Sequence, residues 1–150
     1  MENKKQPQIN ISMPNLINIC VDEKNNGEFS GRLYHCYGKE AEPFHNVVEL
    51  LRKVEDLFDR ICFPQASTKT RCFREAESIG HRIVRPEKLV EQTKKIENRG
   101  NLGSFVTCVQ FRQNSTWQGE VFWMEKGAKR RFVNTLDFIK TLDSALATIE

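Results

Sequence analysis

Apolar and polar positions alternate with two different periods along this chain, and they do so in the same order twice. Ile17, Ile19 and Val21 alternate with Asn18, Cys20 and Asp22, which predicts a strand rich in β-branched residues. Glu23 to Gly27 ends in Asn-Gly, the pair that supplies the positive φ angles of a tight hairpin. Phe29 to Tyr37 is the returning strand, and Ala41 to Phe44 a short third one. The period then lengthens. Val47, Val48, Leu50, Leu51, Val54, Leu57, Phe58 and Ile61 recur at helical spacing, with Arg52, Lys53, Glu55, Asp56 and Asp59 on the other face. Asn46 is placed to cap this helix and Glu49 stands three residues on. Pro64 ends it.

The second pass runs Phe105–Phe111, a turn at Gln113–Thr116, Trp117–Glu125, a turn at Lys126-Gly127-Ala128, and Lys129–Phe132. Asn134 then caps a helix with Leu136, Phe138, Ile139, Leu142, Ala145, Leu146 and Ile149 on its apolar stripe. Setting Gly31 on Gly119, an offset of 88 residues, aligns Ile19–Ile61 with its second copy without a gap. Cys20 then falls on Cys108, Asn26 on Asn114, Phe29 on Trp117, His35 on Trp123, Phe44 on Phe132 and Asn46 on Asn134. We read this as an internal duplication of a β-β-(β)-α unit. One such unit cannot cover both faces of its own sheet, so two copies are expected to pair about a pseudo-two-fold axis. The expected fold is α+β, one antiparallel sheet or two small ones with two amphipathic helices. The expected layout is a polar leader over 1–15, repeat 1 over 16–61, a connecting segment over 62–103 and repeat 2 over 104–150.

The connecting segment is harder to read. Arg71–Arg74 predicts a strand and Pro86–Ile96 a helix. Nine Lys or Arg stand against five Glu, so this segment is more basic than the +3 of the whole 150-residue chain. Arg71, Arg74, Arg82, Arg85, Lys94 and Lys95 could follow a phosphate backbone, with Phe73 as a stacking surface. Against that stands a solvated loop, its cations interspersed with acids.

Both tryptophans, Trp117 and Trp123, fall on one face of a strand with Gly119 between them. A strand glycine marks close approach of another backbone or of a ligand. Two readings follow. The pair is either a binding shelf, with Asn114, Thr116 and Gln118 beside it and Phe29 and His35 as its counterparts in the first half, or it is core under a helix.

No catalytic group stands out. His35, His45 and His81 lack the close pairing of a metal site, and no glycine-rich phosphate loop occurs. Five cysteines without close pairs read as free thiols in a reducing compartment. No apolar run suits a secretory signal or a membrane span. The expectation is therefore a cytoplasmic, non-enzymatic protein with no cofactor. It is a binding or regulatory module acting through protein contacts, with a partner or with itself as a homodimer. Nucleic-acid binding through the basic segment and small-ligand (nucleotide) sensing are the alternatives.

Asn114-Ser115-Thr116-Trp117-Gln118-Gly119 is similar to the Asn-x-Ser-x-x-Gly element of cyclic-dinucleotide-binding PilZ domains. Thr116 replaces its serine, however, and the preceding Arg-x-x-x-Arg element is missing. The run Val109–Gly119 with Trp123, Glu125, Phe132 and Leu136–Ile139 resembles a group of small uncharacterised proteins of anaerobic gut-type bacteria. That resemblance implies a free-standing domain and no particular activity.

Overall fold

The computed structural model describes residues 13, 15–25, 27–38, 40–61, 63–64, 95–113 and 116–148. The strand expected over Arg71–Arg74 and most of the helix expected over Pro86–Ile96 lie outside these residues. The described chain is α+β. Six strands form one antiparallel sheet: β1 (Ile17–Asn25), β2 (Glu28–His35), β3 (Glu42–Phe44), β4 (Gly103–Phe111), β5 (Gln118–Trp123) and β6 (Ala128–Phe132). Their order is β3-β2-β1-β4-β5-β6, so the first strand of each half meets at the centre. Two helices, α1 (Val47–Ile61) and α2 (Thr135–Ala147), follow the third strand of each half.

Both helices pack on the same face of the sheet. Leu50, Val54, Leu57, Phe58 and Ile61 of α1 join Phe138, Leu142 and Leu146 of α2 in one core with Ile17, Ile19, Val21, Leu33, Phe105, Val109 and Val121. Each large apolar side chain enclosed there contributes about 1.5–3 kcal/mol before conformational entropy is set against it. The helix starts form as local chemistry requires. The Glu49 amide donates to Asn46 Oδ1 at 2.8 Å, and the Asp137 amide donates to Asn134 Oδ1 at 2.7 Å. Each acid also reaches back, Glu49 to the His45 amide and Asp137 to the Val133 amide.

The strand registers of the two halves agree position by position. Ile17 pairs with His35 and Phe105 with Trp123; Gly31 pairs with Phe44 and Gly119 with Phe132. The register shifts between Val21 and Glu23, and likewise between Val109 and Phe111. At each of these bulges a glycine faces the neighbouring strand. A Cβ on Gly31 would lie 1.9 Å from the Cys20 carbonyl oxygen, and one on Gly119 would lie 2.1 Å from that of Cys108. Of the two causes expected for Gly119, close approach of backbone is the one observed. At the centre, Asn18 pairs with Val106, the residue 88 positions further on.

The reverse face is covered differently. Leu16, Val106, Cys108 and Phe122 form a small second cluster with Met13, Ile96 and Met124. Residues 95–102 run across the back of the first hairpin. Asn18 Nδ2 donates to the carbonyls of Lys95 and Asn98, and Arg32 holds Asp22 at 2.8 Å and the Arg99 carbonyl at 2.9 Å. The end of the connecting segment therefore covers a sheet face rather than an edge. The outer edges carry their own protection against strand addition: Pro43 in β3, and consecutive cations Lys129, Arg130 and Arg131 in β6.

Candidate functional site

Trp117 is enclosed, only 2% exposed, between Phe58 of α1 and Phe138 of α2, with ring centroids 5.9 Å and 5.5 Å away. Its indole N–H donates to Glu55 Oε2. Arg112, also buried, donates to Glu55 at 3.0 Å, to Asp59 at 2.9 Å and to the Pro64 carbonyl at 2.7 Å. Glu55, half-exposed on α1, anchors a network that ties this helix to the second half of the sheet.

Of the two readings of the tryptophan pair, core under a helix describes Trp117. Trp117 sits beneath the helices because alternation fixes which residues share a face, not which face the helices cover. Its neighbours serve the turn. Thr116 Oγ1 accepts from the Thr135 amide at 2.7 Å, at the start of α2. Gln118 closes its own loop, with Oε1 accepting from the Gln113 amide and Nε2 donating to the Gln113 carbonyl. Asn114 lies outside the described residues. Phe29 is core, edge-to-face with Phe44 at 6.4 Å.

His35 is buried as well. The Tyr37 amide donates to its Nδ1 at 3.1 Å, so Nε2 carries the hydrogen and donates to Glu42 at 2.6 Å. That bond holds the Glu42 carboxyl below the usual carboxylate range. With both ring nitrogens engaged, His35 has no lone pair left to act as a base on a substrate. Burial pushes the thiols of Cys20 and Cys108 up to about 11, away from nucleophilic character.

Of the basic residues expected to meet nucleic acid, Arg71, Arg74, Arg82, Arg85 and Lys94 lie outside the described residues. Lys95 is 6% exposed, its amino group 5.4 Å from the centre of the Tyr34 ring. It presents no charge to a backbone in solvent. Among the described residues no His, Cys, Asp and Glu gather as a metal site would need, and no helix is long and apolar enough to cross a membrane.

Among the described residues, Trp123 is a sequence-expected residue that borders a cavity. It is partly buried, stacks on Phe105 at 5.9 Å between centroids, and carries the Lys126 amino group 5.9 Å from its own ring centre. A hollow of about 490 Å³ opens beside it, between the sheet and the C-terminal half of α2. Phe105, Val121, Trp123, Ala128 and Ala145 make its apolar surface. Lys126, Arg130 and Lys140 supply cations, and Thr141, Ser144 and Thr148 supply hydroxyls. Among the described residues no Asp or Glu lines it. Its size is that of ordinary small-molecule sites.

The hollow exists because small side chains stand where the first half has large ones. Eighty-eight positions before Ala145 and Val121 are Leu57 and Leu33, both buried in the core. That comparison was available from the aligned halves and would have singled out Ala145 and Arg130 beside Trp123. No known protein family, curated protein or solved structure matches the chain.

Proposed function

We propose that the chain is a non-enzymatic small-molecule binding module, built from two copies of one β-β-β-α unit. In this reading the first copy is structural and the second carries the site. Duplication is supported by the common register, the paired bulges and glycines, and the matched helix caps, all at one offset. The Asn18–Val106 pair, in which a residue meets its own counterpart, is where a pseudo-two-fold axis would pass.

The observation that carries the binding reading is the hollow at Trp123, with its aromatic wall and the cations Lys126, Arg130 and Lys140 in its lining. An apolar surface with a few convergent polar groups is the usual form of a ligand site. The reading of Trp117 and Trp123 as a surface for protein contact carries less weight, since Trp117 is enclosed.

A thermal-shift panel of indole, indole-3-acetate and adenosine monophosphate tests the proposal, run on wild type and on Ala145→Leu, which restores the first-half side chain. Binding to the folded form raises Tm by mass action. The expected result is a rise for wild type with at least one probe and none for Ala145→Leu. Equal responses of the two proteins, or no response of either, would contradict it.

A further inference from the structure

We infer that the hollow beneath α2 takes a carboxylate borne on a flat apolar body. This rests on the reading of the hollow as the binding element and names the class of ligand.

The first half shows what the same place in the fold contains when it is filled from within. There the position of Trp123 is His35, that of Arg130 is Glu42, and that of Ala145 is Leu57. Leu57 occupies the apolar volume. The Glu42 carboxylate closes onto His35 at 2.6 Å, with the charges of Lys53 and Arg60 also acting on it. The first half thus supplies both an apolar filling and a carboxylate among cations from its own chain. The second half has lost both. Ala145 leaves the apolar volume open, and Arg130 replaces the built-in carboxylate. Lys126, Arg130 and Lys140 line the hollow, and no acid among the described residues does.

A ligand that completes this arrangement brings the two missing parts together. Its flat body lies against the Trp123 and Ala145 surface, and its carboxylate meets the cations at the rim. An aromatic acid has this composition. An arginine favours a carboxylate because its planar fork matches two oxygens. The wall behind it, Trp123 over Phe105, favours a flat ring over a branched chain.

The cations have a competing role. α2 has no basic residue in its last turn, and Lys126 and Arg130 share the hollow with Thr148 at that end. They would offset the negative end of the helix dipole without any ligand.

Isothermal titration separates these possibilities with three probes, indole-3-acetate, the neutral indole-3-ethanol and adenosine monophosphate. They are titrated into wild type and into Arg130→Glu, a change to the residue the first half already tolerates. The expected result is indole-3-acetate binding wild type roughly tenfold or more tighter than indole-3-ethanol, the worth of a charge-assisted hydrogen bond. Arg130→Glu should erase that advantage while indole-3-ethanol binds as before. If the neutral probe binds wild type as tightly as the acid, the hollow is a ligand site but the carboxylate assignment fails. Tighter binding of the phosphate probe than of indole-3-acetate also overturns it. If Arg130→Glu lowers Tm without changing the affinity of the acid, the cations serve the helix end and the inference falls. If no probe binds, the failure is of the underlying binding reading itself.

Discussion

The two halves of the sheet share a backbone plan and differ in how they use it. Pairing partners, bulges, glycines and helix caps coincide, yet Phe29, His35, Glu42 and Leu57 fill the first half, whereas the second places Trp117, Trp123, Arg130 and Ala145 at those positions. The groups that repeat are those backbone geometry requires. A capping asparagine satisfies free amides, and a glycine lets a strand approach a carbonyl. The groups that differ decide whether space under the helix is filled by the chain or left open.

The largest expected effect separates the two tryptophans. Trp117→Ala removes a ring from between Phe58 and Phe138 and strands the Glu55–Arg112 network. It should cost about 3–5 kcal/mol of unfolding free energy. Trp123→Ala, at the edge of the hollow, should cost about 1–2 kcal/mol, in the range of ordinary substitutions. Urea denaturation of both variants checks this, and equal costs would remove the distinction between core and rim.

Gly31→Ala and Gly119→Ala follow. Each new methyl would overlap a carbonyl oxygen, forcing the strands apart at a cost of about 3 kcal/mol or more. The two should match. A large cost at one and none at the other would show that the bulges are not equivalent.

These equivalences were legible in the sequence because they are local or periodic. Asn46 with Glu49, Asn134 with Asp137, and the alternation of the strands each declare themselves within a few residues, and one constant offset aligned them. What could not be read needed distance or volume. Nothing near Glu55 announces that Trp117 and Arg112 will reach it across about 60 positions of chain. Alternation placed Trp117 and Trp123 on one face but left open which face the helices would take. The hollow depends on atoms that Ala145 lacks, and these show only against Leu57.

Smaller effects sharpen the comparison at the helix starts. Asn46→Ala and Asn134→Ala should each cost about 1 kcal/mol, read from thermal unfolding, because each cap satisfies one amide in the same geometry.

The smallest effect is confined to the first half and depends on pH. Glu42 is held below its ordinary value by the His35 bond, so its contribution is fully present above about 4.5 and is lost as pH falls through the lowered folded value. Wild type should therefore exceed Glu42→Gln in urea midpoint at neutral pH, and the gap should close on acidification below 4.5. A gap that persists at low pH would place the effect elsewhere.

The most direct test of the division between a filled and an open half follows both indole N–H resonances of 15N-labelled protein during titration with indole-3-acetate. Trp117, itself buried, donates to the Glu55 carboxylate, while the indole nitrogen of Trp123 is buried without an acceptor among the described residues. A saturable shift of the Trp123 resonance is expected, with Trp117 unmoved. A Trp123 resonance that stays fixed, or two resonances that move together, would contradict it.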